Sequence, residues 1–273
     1  MIKSNPHTHT QFGDGRSTAE EMVLSALDNG FLSLGFSEHG KQSFNTNCVL
    51  DENREAQYIE EIKRLKEKYK DKIRIYLGVE RDAYSLADRR QYEYVLGSVH
   101  YVKFGDKLLA VDGNAEELNK AVNSYFNGDG FILAKEYYKN ISEYIAQYKP
   151  HIIGHFDLVC KYNSRYGFFD EQSPEYIELC RKATDNMIKA CSIMEVNTGR
   201  IVRAKADTPY PSLEILKYWR HLGGDVILSS DCHDAKDIAG GYEKGLAHIR
   251  KAGFKTILQL SYEGSNLFTR FSL

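Results

Sequence analysis

Seven short apolar runs punctuate the chain, and each ends at a histidine, aspartate, glutamate or asparagine. In order they finish in His7-Thr8-His9, Ser37-Glu38-His39, Gly78-Val79-Glu80, Gly97-Ser98-Val99-His100, Gly154-His155-Phe156-Asp157, Glu195-Val196-Asn197 and Ser230-Asp231-Cys232-His233. A helical pattern lies between consecutive runs. Alternating strands and helices build a parallel sheet, which presents all its strand C-termini on one rim. In a barrel that rim carries the active site. Six of the nine histidines therefore meet at one mouth, together with several carboxylates. Imidazole and carboxylate together form a donor set for borderline divalent metals.

Helix signals fall where a barrel needs them. Thr18-Ala19-Glu20-Glu21 is a capping box, and Gly30 closes the helix it opens. Asp51 to Lys70 carries Tyr58, Ile59, Ile62, Leu65 and Tyr69 on one face. Further helices are expected from Asn114 to Phe126, Phe131 to Tyr148, Ser173 to Ala190, Pro211 to Leu222 and Tyr242 to Lys251. The strand count is seven, which predicts an α/β fold: a distorted, seven-stranded (β/α)7 TIM-like barrel. Thr256 to Leu260 is open as an eighth strand. No linker, low-complexity tract or repeat divides residues 1–273, so a single domain is expected.

Composition narrows the function. A net charge of −2 and a pI near 6.5 argue against a phosphate-backbone-binding surface and hence against a nucleic-acid partner. Five cysteines without a CxxC pair suit a reducing compartment. Cys232 lies between two candidate ligands but points away from them by strand alternation, into the wall. With no apolar leader and no run long enough to span a bilayer, a soluble cytoplasmic protein without membrane contact is expected.

His7 and His9 stand two apart at a strand end, so their side chains share a face. Asp231 and His233 repeat that spacing on the last strand of the barrel, next to the first. His-Thr-His-Thr, Ser-Glu-His-Gly, Gly-Val-Glu, Gly-Ser-Val-His, Gly-His-Phe-Asp and Ser-Asp-Cys-His resemble, in order, the motifs of the polymerase and histidinol phosphatase (PHP) family. The resemblance covers nearly the whole chain and is strongest to the stand-alone bacterial histidinol-phosphate phosphatases, which are distorted seven-stranded barrels with a three-metal centre. It implies one metal on His7, His9, Glu80 and Asp231, a second on Glu80, His100 and His155, and a third on Asp14, His39 and His233. Many relatives have a histidine where this chain has Asp14, and Gly13-Asp14-Gly15 also reads as an ordinary turn. The ligand set leaves Zn²⁺, Fe²⁺ and Mn²⁺ open as the three divalent ions.

Clustered divalent ions neutralise phosphate oxygens and generate hydroxide near neutral pH. A hydroxide bridging the ions is the expected in-line nucleophile, with Glu80, Asp231 and His233 as the catalytic residues. Guanidinium groups suit the substrate phosphate, and Arg16, Arg165 and Arg200 follow strands. Asn163-Ser164-Arg165-Tyr166-Gly167 and Glu195-Val196-Asn197-Thr198-Gly199-Arg200 resemble the family's substrate-contacting loops. Arg203 competes with Arg200 for that role and is expected to be dispensable. Tyr101, Tyr166 and Glu195 are candidates for the imidazole and amine of a small-molecule phosphomonoester. Glu38 and Asp157 are read as orienting neighbouring ligands or as plain ion pairs, while His151, His221 and His248 stay off the rim. The resemblance thus implies a metal-dependent phosphomonoesterase acting on L-histidinol phosphate in histidine biosynthesis. The alternatives are a PHP phosphoesterase for nucleotides or other small esters, or a catalytically silent PHP module.

Overall fold

The computed structural model describes residues 3–44 and 48–273, so Met1 and Ile2 of the N-terminal stretch lie outside the described residues. The strands are β1 (Ser4–Asn5), β2 (Ser33–Phe36), β3 (Arg74–Asp82), β4 (Tyr94–Ser98), β5 (Tyr101–Phe104), β6 (Lys107–Ala110), β7 (Ile152–Ile153), β8 (Ile193–Asn197), β9 (Asp225–Ser229), β10 (Thr256–Leu260) and β11 (Phe268–Ser272). One sheet runs β1-β2-β3-β4-β7-β8-β9-β10-β11, parallel up to β10 and antiparallel at β11. At the rim the sheet closes on itself. Thr8 bridges Cys232 in parallel, and the His9 N–H donates to the Cys232 carbonyl (2.9 Å). The mouth therefore has the seven strands that the ligand-bearing runs predict.

The opposite end differs from a seven-stranded count. There β10 pairs with β9 at Leu258 and Ile227 and reaches the first two strands, with Leu260 N–H on Ser4 Oγ (3.2 Å) and Ser33 Oγ on the Leu260 carbonyl (2.7 Å). Thr256 to Leu260 is thus a strand that joins only the base of the barrel.

The helices are α1 (Ala19–Asp28), α2 (Glu52–Lys68), α3 (Ala115–Tyr125), α4 (Gly130–Tyr148), α5 (Asn163–Tyr166), α6 (Pro174–Met187), α7 (Gly199–Arg203), α8 (Leu213–His221) and α9 (Tyr242–Lys251). Their starts follow local chemistry. The Thr18 hydroxyl accepts from Glu21 N–H while Glu21 accepts from Thr18 N–H, the reciprocal box read from the sequence. The side chains of Asp51, Asn114 and Ser173 cap α2, α3 and α6 by accepting from first-turn N–H groups, without the reciprocal bond. The β5–β6 hairpin, which hydrophobic periodicity does not announce, stands on the rim beside β4 and turns at Gly105, whose φ is +58°.

Inside the barrel, Tyr76, Tyr94, Leu96, Ile152, Ile227 and Leu260 form an apolar plug below the rim. Tyr94 fits because a Cβ on Gly35 or Gly78 would lie 2.3 Å from its ring or hydroxyl. The plug keeps water from the base, so polar groups just above it interact in a low-dielectric setting.

Candidate metal centre

Above the plug, the strand ends deliver their polar side chains to one point. His7 Nε2 and His9 Nε2 face each other at 3.0 Å. Glu80 Oε2 lies 3.3 and 3.5 Å from these two nitrogens, and Asp231 Oδ1 lies 3.6 and 3.3 Å from them. A tetrahedron of ligands about 2.0–2.2 Å from a Zn²⁺-sized ion has edges of about 3.3–3.6 Å. The four nitrogen–carboxylate separations have that length, and the two nitrogens lie closer together. When both Nδ1 atoms carry the proton, two lone-pair nitrogens point at each other, an arrangement that a cation between them and the adjoining carboxylates would satisfy. The residues fit a metal ion.

Two further groups adjoin the first. Glu80 Oε1 meets His155 Nε2 (2.8 Å) and His100 Nε2 (3.4 Å), while its Oε2 meets His39 Nδ1 (2.9 Å). Asp14 lies 3.3 Å from His233 Nε2, 3.7 Å from His9 Nδ1 and 3.8 Å from His39 Nε2. All the residues that the family resemblance implies as ligands are therefore brought together, with Glu80 shared by the first two groups. His9 also turns Nδ1 to the third group, but a neutral imidazole has one lone-pair nitrogen and can ligate on one side only. Asp14 reaches this position on a tight loop. A Cβ on Gly15 would sit 2.5 Å from the His9 backbone, so that turn requires glycine.

The field of the cluster is uneven. Burial would suppress protonation of His7, yet Glu195, Asp231 and Glu80 outweigh it and raise its pKa well above normal. His9 goes the other way, down to about 3, from burial and from the neighbouring His233 and His39. Burial opposes ionisation of Glu80 and Asp231, but the surrounding histidines, with Arg203 for Asp231, hold both carboxyls well below the usual range. Burial pushes Glu38 up to about 8, although it accepts from the Thr10 N–H (2.7 Å) and hydroxyl (2.6 Å).

The flanking residues divide differently from the sequence expectation. The cluster opens into a cavity of about 420 Å³, whose wall includes Tyr101, Asp112, Lys161, Arg200, Arg203 and Tyr210. Arg200 is there, stacked on Tyr210 at 4.6 Å. Arg203, expected to be dispensable, is also there and pairs with Asp231 Oδ2 (2.8 Å). Arg16, Arg165 and Tyr166 are not on the wall. The Arg16 side chain is exposed, and only its N–H is engaged nearby, on the His233 carbonyl (2.7 Å). Helix α5 ends at Gly167 in the left-handed region and turns Arg165 outward over Tyr166, where it pairs with Glu116. Glu195 lies behind His7, fully buried and off the cavity wall. Asp157 binds the Ser212 N–H (2.7 Å), not a ligand imidazole.

His151 and His248 stay away from the rim, on the Val95 N–H (2.9 Å) and the Pro211 carbonyl (3.0 Å), and His221 ends α8. Cys232 is buried in the wall, and all five cysteines are free. Asp82 was not anticipated. It accepts from the His100 N–H (2.7 Å) and faces His100 Nδ1 (3.4 Å), and its position two residues beyond Glu80 on β3 was the available signal.

A PHP domain matches residues 5–199. The chain belongs to the PHP domain family. Among curated relatives of this PHP protein, the histidinol-phosphatase of Bacillus subtilis is 26% identical over 89% of this chain and 98% of its own length. Two solved structures share the fold. The structure of hisK from Listeria monocytogenes superposes with a TM-score of 0.79 at 23% identity, covering 88% of this chain and 99% of that one. Histidinol phosphate phosphatase from Lactococcus lactis, complexed with zinc, L-histidinol and phosphate, superposes at 0.70 and 23% identity, covering 95% and 97%. No helix among the described residues is long and apolar enough to cross a membrane.

Proposed function

We propose that this PHP protein is a metal-dependent phosphomonoesterase that hydrolyses L-histidinol phosphate to L-histidinol and phosphate. The observation that carries the reading is the cavity above the donor cluster, whose wall combines three cations with Asp112, a carboxylate outside the ligand set. Lys161, Arg200 and Arg203 can donate to a phosphate. Asp112 can accept from the substrate's ammonium group, with Tyr101 beside it as an aromatic face. The Bacillus subtilis and Lactococcus lactis relatives carry the corresponding names.

Three divalent ions complete the site. His7, His9, Glu80 and Asp231 would hold one, Glu80, His100 and His155 a second, and Asp14, His39 and His233 a third. When bound, such ions neutralise phosphate oxygens and activate water for attack on phosphorus. The protein's own part is to orient the donors and the ester. With Nδ1 protonated, His233 donates to the Asp231 carbonyl (3.1 Å), which leaves its Nε2 lone pair toward Asp14. The apolar plug below keeps bulk water off the buried side. Five free cysteines support work in the reducing cytoplasm.

A panel of phosphomonoesters assayed with added Zn²⁺ or Mn²⁺ tests the reading. L-histidinol phosphate should exceed nucleoside monophosphates and p-nitrophenyl phosphate in kcat/KM by at least ~10-fold, a preference of about 1.4 kcal/mol. Preference for a nucleotide would overturn the substrate, and inactivity on every ester would overturn the reaction class.

A further inference from the structure

Six of the seven strands at the mouth end in a proposed ligand, and β8 ends in none. It ends instead in Glu195 and Asn197, both buried. Glu195 is fully occupied by four donors, three of them from neighbouring strands and one from its own. Its Oε1 accepts from His7 Nδ1 (2.6 Å) and from the Ser229 hydroxyl (2.6 Å). Its Oε2 accepts from the His155 N–H (2.8 Å) and from Asn197 Nδ2 (3.1 Å). The same Asn197 amide nitrogen donates to Asp231 Oδ2 (3.1 Å), and Asn197 Oδ1 accepts from the Gly199 N–H (2.9 Å), which fixes which way the amide faces. His7, His155 and Asp231, from three separate strands, are thus tied to one carboxylate.

We infer that Glu195 is a positioning residue that fixes His7 with its proton on Nδ1 and couples the supports of two metal groups through the floor of the site. The inference rests on the metal-centre reading above. Its physical basis is charge. A buried carboxylate is costly unless a positive charge answers it. Among the described residues no lysine or arginine lies within ion-pair distance of Glu195, and His7 is its only such partner. The proton on Nδ1 leaves the Nε2 lone pair directed at His9, Glu80 and Asp231, so a cation held there answers the Glu195 charge through the imidazole. Carboxylates that hold the second nitrogen of a metal-bound histidine typically change metal affinity 10–100-fold when removed.

Glu195→Gln keeps the volume and one acceptor for His7. It also turns an amide NH₂ toward two existing donors, the His155 N–H and Asn197. The apoprotein, prepared by chelation, is titrated with zinc against a chromophoric chelator. Glu195→Gln should bind zinc ~10- to 100-fold more weakly than wild type, with unchanged circular dichroism. Tyr138→Phe, a buried change in the α4–α6 layer, should bind like wild type and controls for loss of general stability.

A second readout needs no variant: ¹⁵N NMR of the histidine-labelled, zinc-loaded wild type should show His7 protonated at Nδ1 and coordinated through Nε2. The inference falls if Glu195→Gln retains wild-type affinity, or if His7 coordinates through Nδ1. A wild-type protein that takes up neither zinc nor manganese removes the metal-centre reading and this inference with it. Equal zinc binding by both proteins removes the inference alone.

Discussion

Asp231 sits at φ +49°, in the left-handed region that non-glycine residues occupy at a cost of about 1–3 kcal/mol. Arg203 helps to hold it there, donating to its carbonyl and to Oδ2 (2.8 Å). Gly199 makes room, since a Cβ there would lie 2.7 Å from the guanidinium. Arg203→Ala should therefore remove ~1.5–3 kcal/mol of charged hydrogen bonding and lower kcat/KM roughly ten- to a hundred-fold. Arg165→Ala, whose side chain is 58% exposed and paired only with Glu116, should be close to silent. Steady-state kinetics on the two variants check this, and a silent Arg203→Ala would refute it. The sequence expectation was the reverse. Arg200 and Arg203 are three apart on one short helix and so share a side, and spacing alone cannot say which reaches the ligands. Nor can it say that Gly167 ends α5 and turns Arg165 away.

At the scale of elements, strand alternation carried most of the information. It put His7 with His9, Asp231 with His233, and Cys232 in the wall. Alternation gives a face but not a depth. Glu195 shares the face of the ligands yet lies one layer below them, which is why it read as a substrate contact. The connection after β7 offers a test of another kind. Ser212 makes no side-chain cap for α8, and its N–H is taken by Asp157 instead. Burial raises the Asp157 pKa from its ordinary 3.8 to about 6. The folded state then holds this proton more tightly than the unfolded state, so stability falls as pH rises from about 4 through 6. At ~1.4 kcal/mol per pH unit the loss is at most about 3 kcal/mol. Asp157→Asn keeps an acceptor for Ser212 and cannot ionise. Urea denaturation of the chelated proteins should show Asp157→Asn gaining on wild type between pH 4.5 and 7.5. A pH-independent difference would show that Asp157 does not bury its charge.

For the whole molecule, the seven apolar runs with polar ends were enough to give the mouth of the barrel, because each strand end there has a chemical purpose that its residues display. The base was less legible. Thr256 to Leu260 ends in no ligand, and only its pairing with β9 and β11 makes it a strand. The closure of the barrel also has a weak side. Strand β1 has two residues, and its backbone pairing to the β9 side at the rim is one Thr8–Cys232 bridge, supplemented by hydrogen bonds between Asn5 and Ser230 (2.6 and 3.3 Å) and from the Arg16 N–H to the His233 carbonyl (2.7 Å). His7 and His9 stand on one side of that seam and Asp231 and His233 on the other, with the His9 and His233 rings stacked at 4.4 Å. A cation held by both sides clamps the seam, and its loss removes that tie. Ligand binding at 100 times Kd stabilises a fold by about 2.7 kcal/mol per site. For a chain of this size, chelation should then lower Tm by at least ~5 °C. The loss should also be local. Hydrogen exchange in the metal-free protein should speed up first at residues 4–10 and 230–234, while β3 and β4, paired along their length, keep their protection. Uniform loss of protection, or none at the seam, would show that the metals do not hold the barrel closed.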